Sequence, residues 1–146
     1  MQTETSKKLV NEFLSNLKTA LEQKRFKFDL KLIKRHSQLY RFYIKNRTHF
    51  LSIHVARGKD FWIPSPWQEI SHLSPENIDW AVILLRELKG KDHPLGFLIP
   101  RDDFIKMRSG LTMNRMGLIK IKEKVLLLKY QFNNWDTFFK LLNLEL

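Results

Sequence analysis

Hydrophobic residues recur every three or four positions near the start of the chain, and every second position soon afterwards. The first repeat runs from about Ser6 to Lys24 and predicts an amphipathic helix with a solvated outer face. From Phe26 to Leu32 the apolar positions alternate with charged ones. That alternation is typical of a strand with one buried face, so the chain is expected to begin with a helix followed by a strand.

The same two patterns continue through the rest of the chain. A nearly uninterrupted apolar run over residues 80–85 predicts a strand buried on both faces. Further strands are predicted at 39–45, 49–56, 61–63, 97–99 and 118–122, with a turn at 46–48, and helices at 67–73, at 102–108 and after a cap at Asn133 or Asn134. This order predicts a single α/β or α+β domain, residues 1–146, with a central mixed β-sheet flanked by helices.

Composition narrows the class of protein. At 43% hydrophobic and 12% aromatic residues, a chain of 146 residues can bury a substantial core. The absence of Cys excludes disulfides, thiol chemistry and zinc sites built on Cys. No apolar run approaches the roughly 18–20 residues of a membrane span, and the start of the chain lacks the apolar core of a signal peptide. The expectation is a cytoplasmic protein with no membrane partner.

Charge is the strongest pointer to function. The formal net charge is +11, and most of the excess lies in two blocks that are predicted to be ordered. Residues 31–59 carry eight Lys and Arg before the first carboxylate, Asp60, and residues 104–132 carry seven against Glu123. A surface with no charged partner would mix the two signs. The blocks therefore predict a positive face that binds a polyanion, namely nucleic acid.

Individual residues within the blocks suggest how such a face would bind. Basic side chains at the ends of the hairpin strands and around the loop at 109–117 would contact phosphates. A solvent-facing Trp beside them would stack an unpaired base, worth about 1–3 kcal/mol per base. The candidate nucleic-acid-binding residues are Lys45, Arg47, Arg57, Lys59, Trp62, Arg108, Arg115, Lys120 and Lys122.

Several segments, taken with the order of elements, resemble a known superfamily. They are FLSIHVAR at 50–57, FWIP at 61–64, the apolar run at 80–85, GFLIPRDDF at 96–104 and KYQFNNWD at 129–136. Over residues 6–142 the chain resembles the PD-(D/E)XK nucleases of restriction-endonuclease-like fold. Those domains open with a helix, followed by a strand pair that carries an Asp and then Glu-x-Lys.

The catalytic motif of that superfamily is replaced in this chain. His54-Val55-Ala56 stands where the resemblance implies Glu-x-Lys, and the expected Asp maps to Tyr40 or Arg41. Members of the superfamily use those carboxylates to hold Mg²⁺, which activates water and neutralises phosphate charge. The resemblance therefore implies a domain that has lost catalysis and binds nucleic acid, with DNA the expected ligand and no cofactor. Homodimers are common in the superfamily, so a homodimer is a further expectation.

Two other functions stay open at this stage. One is a Mg²⁺-dependent endonuclease whose acids have moved to Asp29 and Asp60, with Lys59 as the lysine that orients or polarises the attacking water. The other is a protein-interaction or inhibitor module whose positive face binds an acidic partner. His49 and His54 are five apart on a predicted strand and so face opposite ways, which argues against a shared metal site. Both are expected to be surface groups or to add charge near phosphate.

Overall fold

The computed structural model describes residues 4–34, 38–56, 60–64, 79–86, 96–107, 110–113, 115, 118–122 and 128–144. The helices are α1 (Glu4–Gln23), α2 (Arg101–Met107) and α3 (Trp135–Leu141), with a 3₁₀ turn at Leu128–Tyr130. The strands are β1 (Phe28–Lys34), β2 (Leu39–Ile44), β3 (Arg47–Ala56), β4 (Asp60–Pro64), β5 (Asp79–Arg86), β6 (Gly96–Pro100), β7 (Thr112–Met113), β8 (Leu118–Lys122) and β9 (Gln131–Phe132). The helix predicted at 67–73 lies outside the described residues.

Six of the strands form one mixed sheet in the order β1-β2-β3-β5-β6-β9. Strands β3 and β5 are parallel, and the other neighbours in this sheet are antiparallel. The remaining strands form a second, antiparallel sheet in the order β4-β8-β7. The α/β class with a mixed sheet flanked by helices is therefore confirmed. The sequence patterns did not predict that the strands divide between two sheets.

Both faces of the six-stranded sheet are buried. Helices α1 and α3 cover one face, where Phe13 and Phe138 meet edge to face with ring centroids 5.6 Å apart. The small sheet and helix α2 cover the other face, through Phe61, Ile121 and Phe104. Strand β5 lies between these two cores and alternates its side chains between them, which confirms the prediction of a strand buried on both sides.

The turn between β2 and β3 differs from the prediction. It consists of Lys45 and Asn46, both with positive φ (52° and 61°), whereas the sequence had suggested residues 46–48. A two-residue turn with both central residues at positive φ matches the right-handed twist of the paired strands. Asn tolerates that conformation better than most residues, so Asn46 was a usable signal. Strand β3 consequently starts earlier than predicted, at Arg47.

The helices follow the predicted patterns closely. Along α1, Val10, Phe13, Leu17 and Leu21 are buried at helical spacing. Helix α3 begins after Asn134, whose side-chain Oδ1 accepts a hydrogen bond from the Thr137 amide at 2.8 Å. Within the described part of the chain, no helix is both long enough and apolar enough to cross a membrane.

Candidate nucleic-acid interface

The small sheet brings several of the predicted nucleic-acid-binding residues together. In β8, Ile119 and Ile121 are buried against the core, so the alternate positions Lys120 and Lys122 belong to the outer face. Lys122 is exposed and Lys120 is half-buried. Strand alternation thus separates an apolar inner row from a basic outer row within five residues.

The register across the small sheet places three different residue types in one row. Lys120 is the cross-strand partner of Trp62 in β4 and of Thr112 in β7. Lys122 is the partner of Asp60. Arg115 is exposed in the connection between β7 and β8. The backbone register therefore places a lysine between a tryptophan and a threonine in one row of the small sheet.

Two other predicted residues lie at the β2–β3 turn of the six-stranded sheet. The Lys45 ammonium stands over the Phe26 ring, 5.0 Å from its centroid. Arg47 donates from Nη2 to Asp79 Oδ2 at 2.8 Å and from Nη1 to the Asn143 carbonyl at 3.4 Å. The charge of Arg47 is therefore partly balanced within the protein. Arg57, Lys59 and Arg108 lie outside the described residues.

Arg47 also lines a cavity of about 170 Å³ at the end of the six-stranded sheet where the central strands β3 and β5 begin. Asp79 forms ion pairs with two of the arginines that line this cavity. One is Arg47, and the other is Arg101, whose Nη1 lies 3.5 Å from Asp79 Oδ1. Arg101 Nε in turn donates to Asp102 Oδ1 at 3.0 Å. Sequence reasoning missed this group because parallel pairing of β3 with β5 brings together residues that are far apart in the chain.

His49 forms a buried wall of the same cavity. His49 is 2% exposed, and its Nε2 has no hydrogen-bond partner among the residues that the structure describes. Burial lowers the pKa of His49, the Arg47 charge lowers it further, and Asp79 opposes the change. The imidazole is therefore neutral at physiological pH. The expectation that His49 is a surface group was wrong, because the residue lies in β3 at a cavity that Leu141, Leu142 and Asn143 also line.

His54, which the sequence resemblance aligned with the acid of Glu-x-Lys, is also buried rather than exposed. It lies beside Ser52, with 2.5 Å between Ser52 Oγ and His54 Nε2. Burial lowers the pKa of His54 to about 3, so it carries no charge for phosphate either. Tyr40, one of the two residues that the resemblance aligned with the expected Asp, is buried and donates its hydroxyl to Gln38 Oε1 at 2.8 Å. The opposite orientations expected for His49 and His54 follow from their places in β3.

The acids proposed for a displaced nuclease site lie in separate sheets. Asp29 is exposed on β1 and pairs in register with Tyr43, whereas Asp60 opens β4. Lys59 is outside the described residues. In the part of the chain that the structure describes, no three His, Asp or Glu residues are grouped to hold a metal ion.

No protein-family model matches this chain, and comparisons with curated proteins and with solved structures gave no match.

Proposed function

We propose that this protein is a nucleic-acid-binding domain with DNA as its ligand. In this proposal the outer face of the small sheet contacts the DNA strand. The observation that carries the proposal is the row in which Lys120 stands between Trp62 and Thr112, with Lys122 on the same strand. The formal net charge of +11 supports it, because a polyanion is the partner that such a charge attracts over distance.

The proposed contacts differ in what they contribute. Lys120, Lys122 and Arg115 would neutralise phosphates and release counterions, which supplies affinity without sequence preference. Thr112 would add a hydrogen bond to a phosphate oxygen, and Trp62 would stack an unpaired base. We further propose that the domain is a non-cleaving relative of the PD-(D/E)XK nucleases, since His54 and Ala56 replace the motif residues.

The direct test is binding of labelled duplex and single-stranded DNA by fluorescence anisotropy across a salt series, with and without Mg²⁺. If six phosphates are neutralised, the logarithm of the binding constant should fall against the logarithm of salt concentration with a slope of about −5 on duplex DNA. The DNA should stay intact. Absence of binding at low salt would overturn the proposal and favour an acidic protein partner.

Charge-removing variants test the location of the interface. Replacing both Lys120 and Lys122 with Ala should weaken binding and reduce the salt slope by about two, because two phosphate contacts are lost. The matched control replaces Lys7 and Lys8, which are exposed on α1, and should leave the slope unchanged. Equal losses in the two double variants would show that binding is spread over the whole surface, contrary to the proposal.

The Mg²⁺ arm of the same experiment tests the nuclease alternative. Nicked or linear product that appears only with Mg²⁺, and disappears in Asp29→Ala or Asp60→Ala, would favour an active endonuclease. The separate sheets that carry these two acids favour binding over cleavage.

A further inference from the structure

Strand β1 forms one edge of the six-stranded sheet, and its outer side is open along the described part of the chain. It pairs with β2, and no other described strand lies beside it. An open edge presents unpaired backbone N–H and C=O groups, which can hydrogen-bond another strand. With seven residues β1 is longer than β9, the two-residue strand at the opposite edge. The β1 edge is therefore the larger of the two sites for strand pairing.

The hydrogen bonds of the neighbouring strands fix which residues of β1 point to the open edge. The carbonyl of Gln38, just before β2, accepts from the Ile53 amide of β3 at 3.0 Å. Backbone groups alternate in direction along an antiparallel strand, so Arg41, three positions later, directs its groups to its β1 partner Lys31. The residues of β1 whose backbone groups point outward are therefore Phe28, Leu30 and Leu32.

Strand alternation also divides the side chains of β1 between two faces. Phe28 and Leu30 pack against the core that α1 covers, and alternation places Leu32 on the same face. Leu32 is 37% exposed, which is unusual for a large apolar side chain in this protein. Asp29 and Lys31 are exposed and lie on the opposite face. The open edge thus has an apolar row on one face and one charge of each sign on the other.

We propose that β1 pairs antiparallel with β1 of a second copy of this chain, in the register that places Leu30 opposite the partner's Leu30. Each Asp29 then lies opposite the partner's Lys31, and each Phe28 lies opposite the partner's Leu32. All the outward backbone groups face one another in this register, so they can exchange N–H···O=C bonds. A contact in which two residues meet reciprocally is the kind that a two-fold symmetric dimer requires.

The charges of β1 favour this register and are the reason to choose a second copy as the partner. Moving the centre by one residue would place Asp29 opposite its own copy, or Lys31 opposite its own copy. Like charges directly opposite each other are destabilising, whereas opposite charges attract. Within the chain Lys31 already lies opposite Arg41 of β2, so a carboxylate on its other side would also offset that repulsion. The strand is therefore complementary to itself.

A β-bulge limits the length of the pairing. The register of β1 against β2 shifts between Leu32 and Lys34, and such a shift interrupts the regular ladder. Bulges and lysines at an edge protect a sheet against unlimited strand addition. The proposed pairing ends at Leu32, before the bulge, and it uses the whole regular part of the edge. The contact therefore closes as a dimer.

Sedimentation equilibrium of the full chain without nucleic acid tests the dimer directly. At about 0.15 M salt the repulsion between two copies of charge +11 is largely screened. The average mass should rise with protein concentration from 17.6 kDa towards twice that value. A monomer at every concentration would overturn the proposal. The result is independent of the proposed DNA contacts, because those lie on the small sheet.

Charge reversal tests the register. Asp29→Lys and Lys31→Asp should each raise the dimer dissociation constant by about tenfold or more, because both opposite-charge pairs become like-charge pairs. An equimolar mixture of the two variants should recover dimerisation, since every pair across the mixed dimer again has opposite signs. Lys7→Asp, on the exposed side of α1, makes the same change in net charge as Lys31→Asp and should not weaken the dimer. No recovery in the mixture would overturn the proposed register.

Amide hydrogen exchange, followed residue by residue by NMR, tests which side of β1 is covered. The amides of Phe28, Leu30 and Leu32 should exchange more slowly as the protein concentration rises. Those of Asp29 and Lys31 point to β2 and should be protected at every concentration, which makes them internal controls. A dimer in which the three outward amides exchange as fast as in the monomer would place the interface elsewhere and overturn the proposal.

Discussion

Because His54 is buried, acid should destabilise the folded protein by protonating this residue. Its pKa is lowered from 6.5 to about 3 because the charged imidazole would lose its hydration inside the protein. In the unfolded chain the same group has its ordinary pKa, so the unfolded state binds more protons between those two values. Stability due to His54 is therefore complete above about pH 6.5 and is lost as the pH falls towards 3.

We expect the free energy of unfolding to fall by roughly 2–3 kcal/mol through this residue between pH 6.5 and pH 4.5. His54→Gln, which keeps a polar partner for Ser52 but does not titrate, should show a shallower pH dependence in urea unfolding. His49 will contribute part of the slope that remains, because its pKa is lowered too. Parallel curves for the two proteins would contradict the assignment of this effect to His54.

Gly96 is required by a close approach of two backbones. A Cβ at this position would collide with the carbonyl oxygen of Leu84 on the neighbouring strand, which cannot move without disturbing the sheet. Gly96→Ala should lower the free energy of unfolding by about 1–3 kcal/mol or more. Gly110→Ala is the matched control, because a Cβ there meets no atom of the described residues within 4 Å. Similar urea midpoints for the two variants would refute this account.

At the scale of the elements, the start of α3 depends on a single side chain. Asn134 has an extended backbone and accepts the Thr137 amide, which would otherwise lack a partner in the first helical turn. Asn134→Ala should lower the free energy of unfolding by about 0.5–2 kcal/mol, as measured by chemical unfolding. Asn133→Ala removes an exposed neighbour of the same type and should have the smaller effect. The reverse order would mean that Asn134 is not the cap.

Local sequence patterns were sufficient to predict these elements, but not to predict which elements pair with each other. The alternation in residues 118–122 predicted a strand, and Asn134 was one of two predicted caps, because both signals depend on neighbouring residues alone. The pairing of β8 with β4, about sixty residues away in the chain, has no such signal. Only the pairing within the small sheet therefore places Lys120 opposite Trp62.

For the molecule as a whole, the charge that attracts a polyanion should also weaken the fold. A net charge of +11 disfavours the compact state through self-repulsion, and salt screens that repulsion. The melting temperature should therefore rise as NaCl is increased from about 10 mM to 150 mM, where the Debye length is about 8 Å. Replacing Lys7 and Lys8 with Glu lowers the net charge by four and should reduce the rise. A salt-independent melting temperature would contradict this view.

The sequence by itself determined the helices and most strands, the buried faces and the strong positive charge, because periodicity and composition are properties of neighbouring residues. It also identified Lys120, Lys122 and Trp62 as candidates without indicating that they share one row. Only the tertiary structure decided that His49 and His54 are buried and neutral, and that Arg47 is paired with Asp79 at a cavity. Burial and ion pairing depend on which strands become neighbours, and long-range packing alone sets that choice.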